Sequence, residues 1–172
     1  MLLRVLHYPE KSLAQKCEPV TEVTDELRQL AKDMAETMYR EDGIGLAAPQ
    51  IGKNIRFITV DVSGPEKRES LMCLVNPELE MLEEHGYVES EEGCLSVPEL
   101  RSTVVRYEKV KLKATDLDGN AVELEADGLL AICLQHEVDH LDGALFIDKI
   151  SRLKRSLYDA KVKKWMKASK RK

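Results

Sequence analysis

His136 and His140 flank Glu137 in the run Gln135-His136-Glu137-Val138-Asp139-His140, and a glycine-preceded cysteine stands at Cys94 in Glu92-Gly93-Cys94-Leu95-Ser96. Two imidazoles four residues apart share one helix face, so both rings can reach a single ion. A thiolate from a distant segment adds a soft third donor, and three protein ligands leave the fourth tetrahedral position open for water. Glu137 is rotated away from the metal axis and can reach that water as a proton carrier. Neither Cys17, Cys73, His7 nor His85 has the companion spacing of a fourth ligand. An open site is therefore preferred to a closed structural one, and the pattern is that of a metal-assisted hydrolase.

Such a site needs a helix beneath the histidines, and the spacing predicts one from near Asp127 to just before Gly143. Leu130, Leu134, Val138 and Leu141 follow one face, which should enter the core. Leu129, Ile132, Cys133, His136 and His140 follow another, so an apolar wall adjoins the imidazoles. That wall suits an unbranched apolar side chain such as methionine; the same three residues could equally serve only as core. Upstream, Thr24-Asp25-Glu26 can cap a helix carrying Leu27, Leu30, Ala31, Met34 and Met38, which stops near Asp42-Gly43. The segment from Gly43 to Gln50 holds two glycines and no charge. Its backbone can pass close to a ligand or to other backbone, although glycines also make ordinary turns. Ile55 to Val62 and Leu71 to Val75 read as strands around a polar loop from Ser63 to Ser70. Val104-Val105, then Val110, Leu112 and Ala114, mark further strands, and Asp118-Gly119 before Val122-Glu123-Leu124 predicts a hairpin. Ser151 can cap a final helix containing Leu153, Leu157, Ala160, Val162, Trp165 and Met166, frayed at its end.

A chain of 172 residues fits one domain with its own core, and 43% hydrophobic with 33% charged residues describes a soluble globular protein without a membrane span. The first residues carry no secretory pattern, so a cytoplasmic location is expected. Four cysteines without close pairing point to reducing surroundings. From Asp148 to Lys172 eleven Lys or Arg face two Asp, a local charge of +9 that leaves -14 on the rest. The tail therefore has an anionic partner, or its lysines simply solvate a helix end and suit its dipole.

The three runs Gly43-Ile44-Gly45-Leu46-Ala47-Ala48-Pro49-Gln50, Glu92-Gly93-Cys94-Leu95-Ser96 and Gln135-His136-Glu137-Val138-Asp139-His140, in this order, resemble the motifs of the bacterial peptide deformylases. The likeness extends from the first residues through about Asp148, and the basic end resembles the family's C-terminal extension more weakly. It implies an α+β fold: a single compact domain with strands surrounding the metal-binding helix, plus a C-terminal helix. A catalytic domain would span 1–150 and a basic helical extension 151–172. The implied reaction removes formyl from the initiating methionine of N-formylmethionyl peptides and nascent chains, releasing formate. By this resemblance Cys94, His136 and His140 hold the metal, and Glu137 is the general acid and base. Gln50 and the Leu95 N–H stabilise the oxyanion, Gly45 lies in the segment that pairs with the substrate backbone, and Ile44 joins Leu129, Ile132 and Cys133 in the side-chain pocket. The implied cofactor is one divalent ion, Fe(2+) in cells, with Zn(2+), Ni(2+) or Co(2+) able to use the same donors. A monomer is expected, with ribosome contact through the basic helix. A broader metallopeptidase and a noncatalytic ribosome- or RNA-binding module are the alternatives; Cys94 weighs against the first, the intact Glu137 and Gln50 against the second.

Overall fold

The computed structural model describes residues 1–170, in which seven strands and four helices build an α+β fold. The strands are β1 (Gly45–Ala47), β2 (Phe57–Val60), β3 (Met72–Met81), β4 (Tyr87–Cys94), β5 (Val97–Tyr107), β6 (Lys109–Thr115) and β7 (Ala121–Asp127); the helices are α1 (Asp25–Arg40), α2 (Gly64–Lys67), α3 (Gly128–Leu141) and α4 (Arg152–Lys170). An antiparallel sheet runs β1-β2-β3-β6-β7, and β4 and β5 make a separate two-stranded ribbon.

The helix predicted after Thr24 is α1, and the Thr24 hydroxyl accepts from the Leu27 N–H at 3.1 Å as an N-cap. Leu27, Ala31, Met34 and Met38 turn inward against Leu46, Phe57 and Val75. The strand expected at Ile55 to Val62 is shorter, since Ile55 bridges to Glu18 and the Asp61 N–H turns to the Ile44 carbonyl. The loop expected at Ser63 to Ser70 contains α2, with Pro65 in its first turn. The strand expected to end at Val75 continues to Met81. A bulge between Val75 and Glu78 absorbs Asn76 and Pro77, and the Asn76 side chain bonds both the N–H and the carbonyl of Val20 at 2.8 Å. The Asp118-Gly119 hairpin joins β6 to β7 in the expected place, its Asp116 carboxylate accepting from the N–H groups of Asp118 and Asn120.

The expected metal-binding helix, α3, has its core stripe where the spacing placed it. Leu134 and Leu141 are fully buried among Ile58, Val60, Leu74, Val110 and Leu112, with Leu130 and Val138 packed against them. The chain leaves α3 through Gly143 at φ 77°, where a Cβ would lie 2.6 Å from the Ala14 carbonyl oxygen. Glycine alone satisfies both the left-handed backbone and the close approach.

Ser151 caps α4 as expected, accepting from the Lys154 N–H at 3.2 Å. Of the apolar residues expected on it, Val162 is buried and Trp165 half-buried, whereas Leu153 and Leu157 are 70% and 65% exposed. Tyr158, not named from sequence, is buried with Val162 against Val97, Val104, Phe146 and Ile147. The helix therefore shares an apolar cluster with the body. Residues 171 and 172 of the expected extension lie outside the described residues.

Candidate functional site

α3 presents His136 and His140, and the end of β4 presents Cys94, so that one donor atom from each lies within 4.8 Å of the others. Cys94 Sγ is 3.4 Å from His140 Nε2. Among the described residues this is the one such group of possible metal ligands. The two imidazoles stand edge to face with centroids 5.0 Å apart, each offering its nitrogen from a different side. His136 Nδ1 donates to Glu92 Oε1 at 2.8 Å, which leaves Nε2 as the ligating nitrogen. Burial, the largest cause, holds the His140 pKa well below its ordinary value, which favours the neutral ring that a ligand requires. One thiolate and two imidazoles, one donor short of a closed tetrahedron, fit a single divalent ion of the first transition row. The buried Glu137 Oε2 has no hydrogen-bond partner, which fits a carboxylate reserved for a reacting molecule.

The ribbon that carries Cys94 is welded to α3 by charge. Arg106, 4% exposed, donates from Nε to Glu92 Oε2 at 2.7 Å, from one terminal nitrogen to Glu92 Oε1 at 2.8 Å, and from the other to Asp139 Oδ2 at 2.7 Å. Burial raises the Glu92 pKa, but the bonds from Arg106 and His136 outweigh it and pull the carboxyl down to about 2. Gln135 adds a neutral tie, exchanging two hydrogen bonds with the Tyr107 backbone at 3.0 and 2.9 Å. Sequence reasoning assigned no role to Glu92, Arg106 or Asp139. A signal existed, because strict alternation through β5 puts Ser102, Val104 and Arg106 on one inward face.

Gln50 sits in the short turn after β1 and is almost fully buried. Its Oε1 accepts from the Ala47 N–H at 2.8 Å, which fixes the amide so that Nε2 faces Ser96 Oγ at 3.0 Å and Cys94 Sγ at 3.5 Å. Gly45 owes its identity to Glu137: a Cβ there would lie 2.6 Å from Glu137 Oε1. Burial pushes the Glu137 carboxyl up to about 7, into the range where a proton carrier works at neutral pH.

These groups open into a cleft of about 770 Å³. Ile44, Gly45, Gln50, Cys94, Leu95, Leu129, Ile132, Cys133, His136 and Glu137 all line it, while His140 lies beneath, 1% exposed. The second stripe of α3 thus faces the cleft rather than serving only as core, with Leu129 exposed at the mouth and Cys133 buried against the Ile44 carbonyl. β1 has one strand neighbour, β2, and its Gly45 lines the cleft. Pro98, Glu99, Leu100 and Arg101 also line the cleft, with Glu99 and Arg101 exposed, and this outer wall was not anticipated from sequence.

A sequence profile of the polypeptide deformylases matches residues 2–156. A peptide deformylase structure from Legionella pneumophila is similar at 44% identity and a TM-score of 0.89, covering 100% of this chain and 99% of that one. One from Ehrlichia chaffeensis gives 35% identity and a TM-score of 0.89 over 98% of this chain and 99% of that one. One from Synechococcus elongatus in complex with actinonin gives 40% identity and a TM-score of 0.87 over 92% of this chain and 86% of that one. With the profile spanning almost the whole sequence and the fold shared from end to end, this chain belongs to the polypeptide deformylase family of hydrolytic enzymes.

Proposed function

We propose that the cleft removes the formyl group from N-formylmethionyl peptides and nascent chains, releasing formate and a free amino terminus. The observation that carries this reading is the Cys94, His136 and His140 cluster opening beside Glu137 and Gln50 at the floor of an apolar cleft. Cys94, His136 and His140 would hold a divalent ion, which when bound would supply Lewis acidity toward water and the formyl carbonyl. Glu137 accepts the proton of the attacking water and returns it to the departing amine. Gln50 Nε2 and the Leu95 N–H donate to the formyl oxygen as negative charge develops there, and the Ala47 bond keeps the Gln50 amide in that sense. Cys94 acts as a ligand and not as a nucleophile. Ile44, Leu129, Ile132 and Cys133 take the methionine side chain, whose flexible thioether suits an apolar slot. Gly45 pairs along the edge of β1 with the peptide backbone, the same cleft being proposed to take actinonin. Ferrous iron is the proposed ion, as the family likeness implies; zinc, nickel and cobalt suit the same donors.

The test is anaerobic purification with metal analysis, followed by formate detection from formylated and unformylated Met-peptides. The parent releases formate from the formylated peptide alone, with about one ion per chain. Glu137→Ala keeps its metal and loses at least about a hundredfold in rate, the scale of general acid-base catalysis. Equal rates in parent and variant would remove Glu137 from the reaction, and hydrolysis of the unformylated peptide bond would favour a broader peptidase.

Ribosome contact is proposed for the exposed basic side chains of α4, among them Lys163, Lys164 and Lys167. Truncation would strip Tyr158 and Val162 from their cluster, so charge reversal is the cleaner test. Changing all three lysines to Glu should weaken co-sedimentation with ribosomes at low salt and leave hydrolysis of a short formyl-peptide unchanged. Parental binding that ignores added salt would refute electrostatic recruitment.

A further inference from the structure

β5 loses its register with β4 close to the candidate metal ligand. Arg101 pairs with Gly93 and Val97 with Cys94, so the three residues Pro98, Glu99 and Leu100 bulge out against a single step of β4. Glu99 holds φ 62°, a left-handed backbone unusual for its type. All three residues line the outer wall of the cleft. A bulge removes carbonyls from the ladder, and each buried one needs another partner. For Pro98 the partner is the Tyr158 hydroxyl on α4, which donates to its carbonyl oxygen at 2.8 Å. Tyr158 is 4% exposed and shares its apolar cluster with Val97, while Trp165 meets its ring edge to face with centroids 6.1 Å apart. Burial pushes its phenol up to about 12, so it remains a donor across the neutral range. The neighbouring turn that carries Cys94 and Leu95 is held by hydrogen bonds that do not involve the Tyr158 hydroxyl, since Ser96 accepts from the Tyr8 N–H at its carbonyl and from Gln50 at its hydroxyl; Tyr8 also packs against the Tyr158 ring, with centroids 6.2 Å apart, a contact that phenylalanine would keep.

We propose that Tyr158 is a positioning residue for peptide binding: by holding the Pro98 carbonyl it sets the Pro98–Leu100 wall against the substrate residues that follow methionine. The substrate class addressed is an extended formyl-peptide long enough to reach the outer wall. This rests on the cleft being the peptide site. Because the hydrogen bonds of the Cys94 turn do not use the Tyr158 hydroxyl, and the ring contacts survive in phenylalanine, loss of the hydroxyl acts on peptide affinity and not on the metal or the chemical step.

The full-length holoenzyme, Tyr158→Phe and Val162→Ala are compared for metal content, Tm, KM and kcat with formyl-Met-Ala and with a formylated Met-pentapeptide. Tyr158→Phe should raise KM for the pentapeptide about fivefold, the scale of one lost hydrogen bond, with kcat, metal content and the dipeptide KM unchanged. Val162→Ala, which loosens α4 but retains the hydroxyl, should lower Tm without that KM change. An active parent whose pentapeptide KM is unmoved by Tyr158→Phe overturns the positioning role. So does an equal rise in Val162→Ala, which would assign the effect to helix packing, or a matching fall in kcat or metal content. A parent that releases no formate from either peptide refutes the reading of the cleft itself, and the positioning role with it.

Discussion

Between β2 and β6 the sheet is held by side chains without polar atoms, Ile58, Val60, Leu74, Val110 and Leu112, all buried beneath α3. The β4–β5 ribbon reaches the same helix through Glu92, Arg106 and Asp139 and through Tyr107 with Gln135, while its contact with α4 combines the Pro98–Tyr158 hydrogen bond with apolar packing of Val97 and Val104. Apolar contacts are non-directional and tolerate small shifts, whereas charged hydrogen bonds impose distance and angle. The part of the molecule that delivers the candidate metal ligand from outside the helix is the part tied to α3 by directional bonds. The sheet supplies stability; the ribbon supplies registration of Cys94 against two imidazoles.

The sharpest way to break this contrast is Arg106→Ala. It leaves the buried Glu92 without its guanidinium, Asp139 being partly exposed, and the expected loss is about 3 kcal/mol in urea denaturation, accompanied by lower metal content in the folded fraction. Full metal retention at unchanged stability would deny the weld its role. Chelation of the metal comes next. Hydrogen exchange should quicken about tenfold at amides of β4, β5 and the second half of α3 and hardly change in β2, β3 and β6; uniform acceleration would show that sheet and ribbon open as one unit. The smallest effect is expected from Ile58→Val, about 1 kcal/mol from one buried methylene, with metal content and formate release preserved in the folded enzyme. Metal loss from that variant would mean that the sheet also sets the ligand geometry.

What could be read in the sequence was local. His136, Glu137 and His140 declare their geometry within one turn, and the stripes of α3 repeat at short intervals, so helix, face and donors followed directly. The β6–β7 hairpin was legible because Asp116 to Asn120 close the turn among themselves. The two bulges were not, since Asn76-Pro77 and Val97-Pro98 look like strand ends until a distant partner, Val20 or Tyr158, is known to satisfy them. β4 hid for a related reason: Glu89, Glu91 and Glu92 have poor strand propensity, and the one that turns inward is neutralised by Arg106 far along the chain. On α4 hydropathy named Leu153 and Leu157 alongside Val162 and Trp165, but the helix turns toward the body only the latter pair, together with Tyr158. Burial on such a helix is decided by what it lands on.

β1 is a three-residue edge strand, and an unpaired sheet edge is ordinarily a liability for self-association. Here Gly45 lines the cleft while Leu46 and Ala47 are wholly buried. A cleft of about 770 Å³ is of a size for a single strand of backbone and not for the sheet of a folded neighbour. For the proposed reaction this makes the client's age the selection rule. A terminus is accessible while its first residues are still extended and unpaired, and it closes to the enzyme once those residues have found a fold of their own.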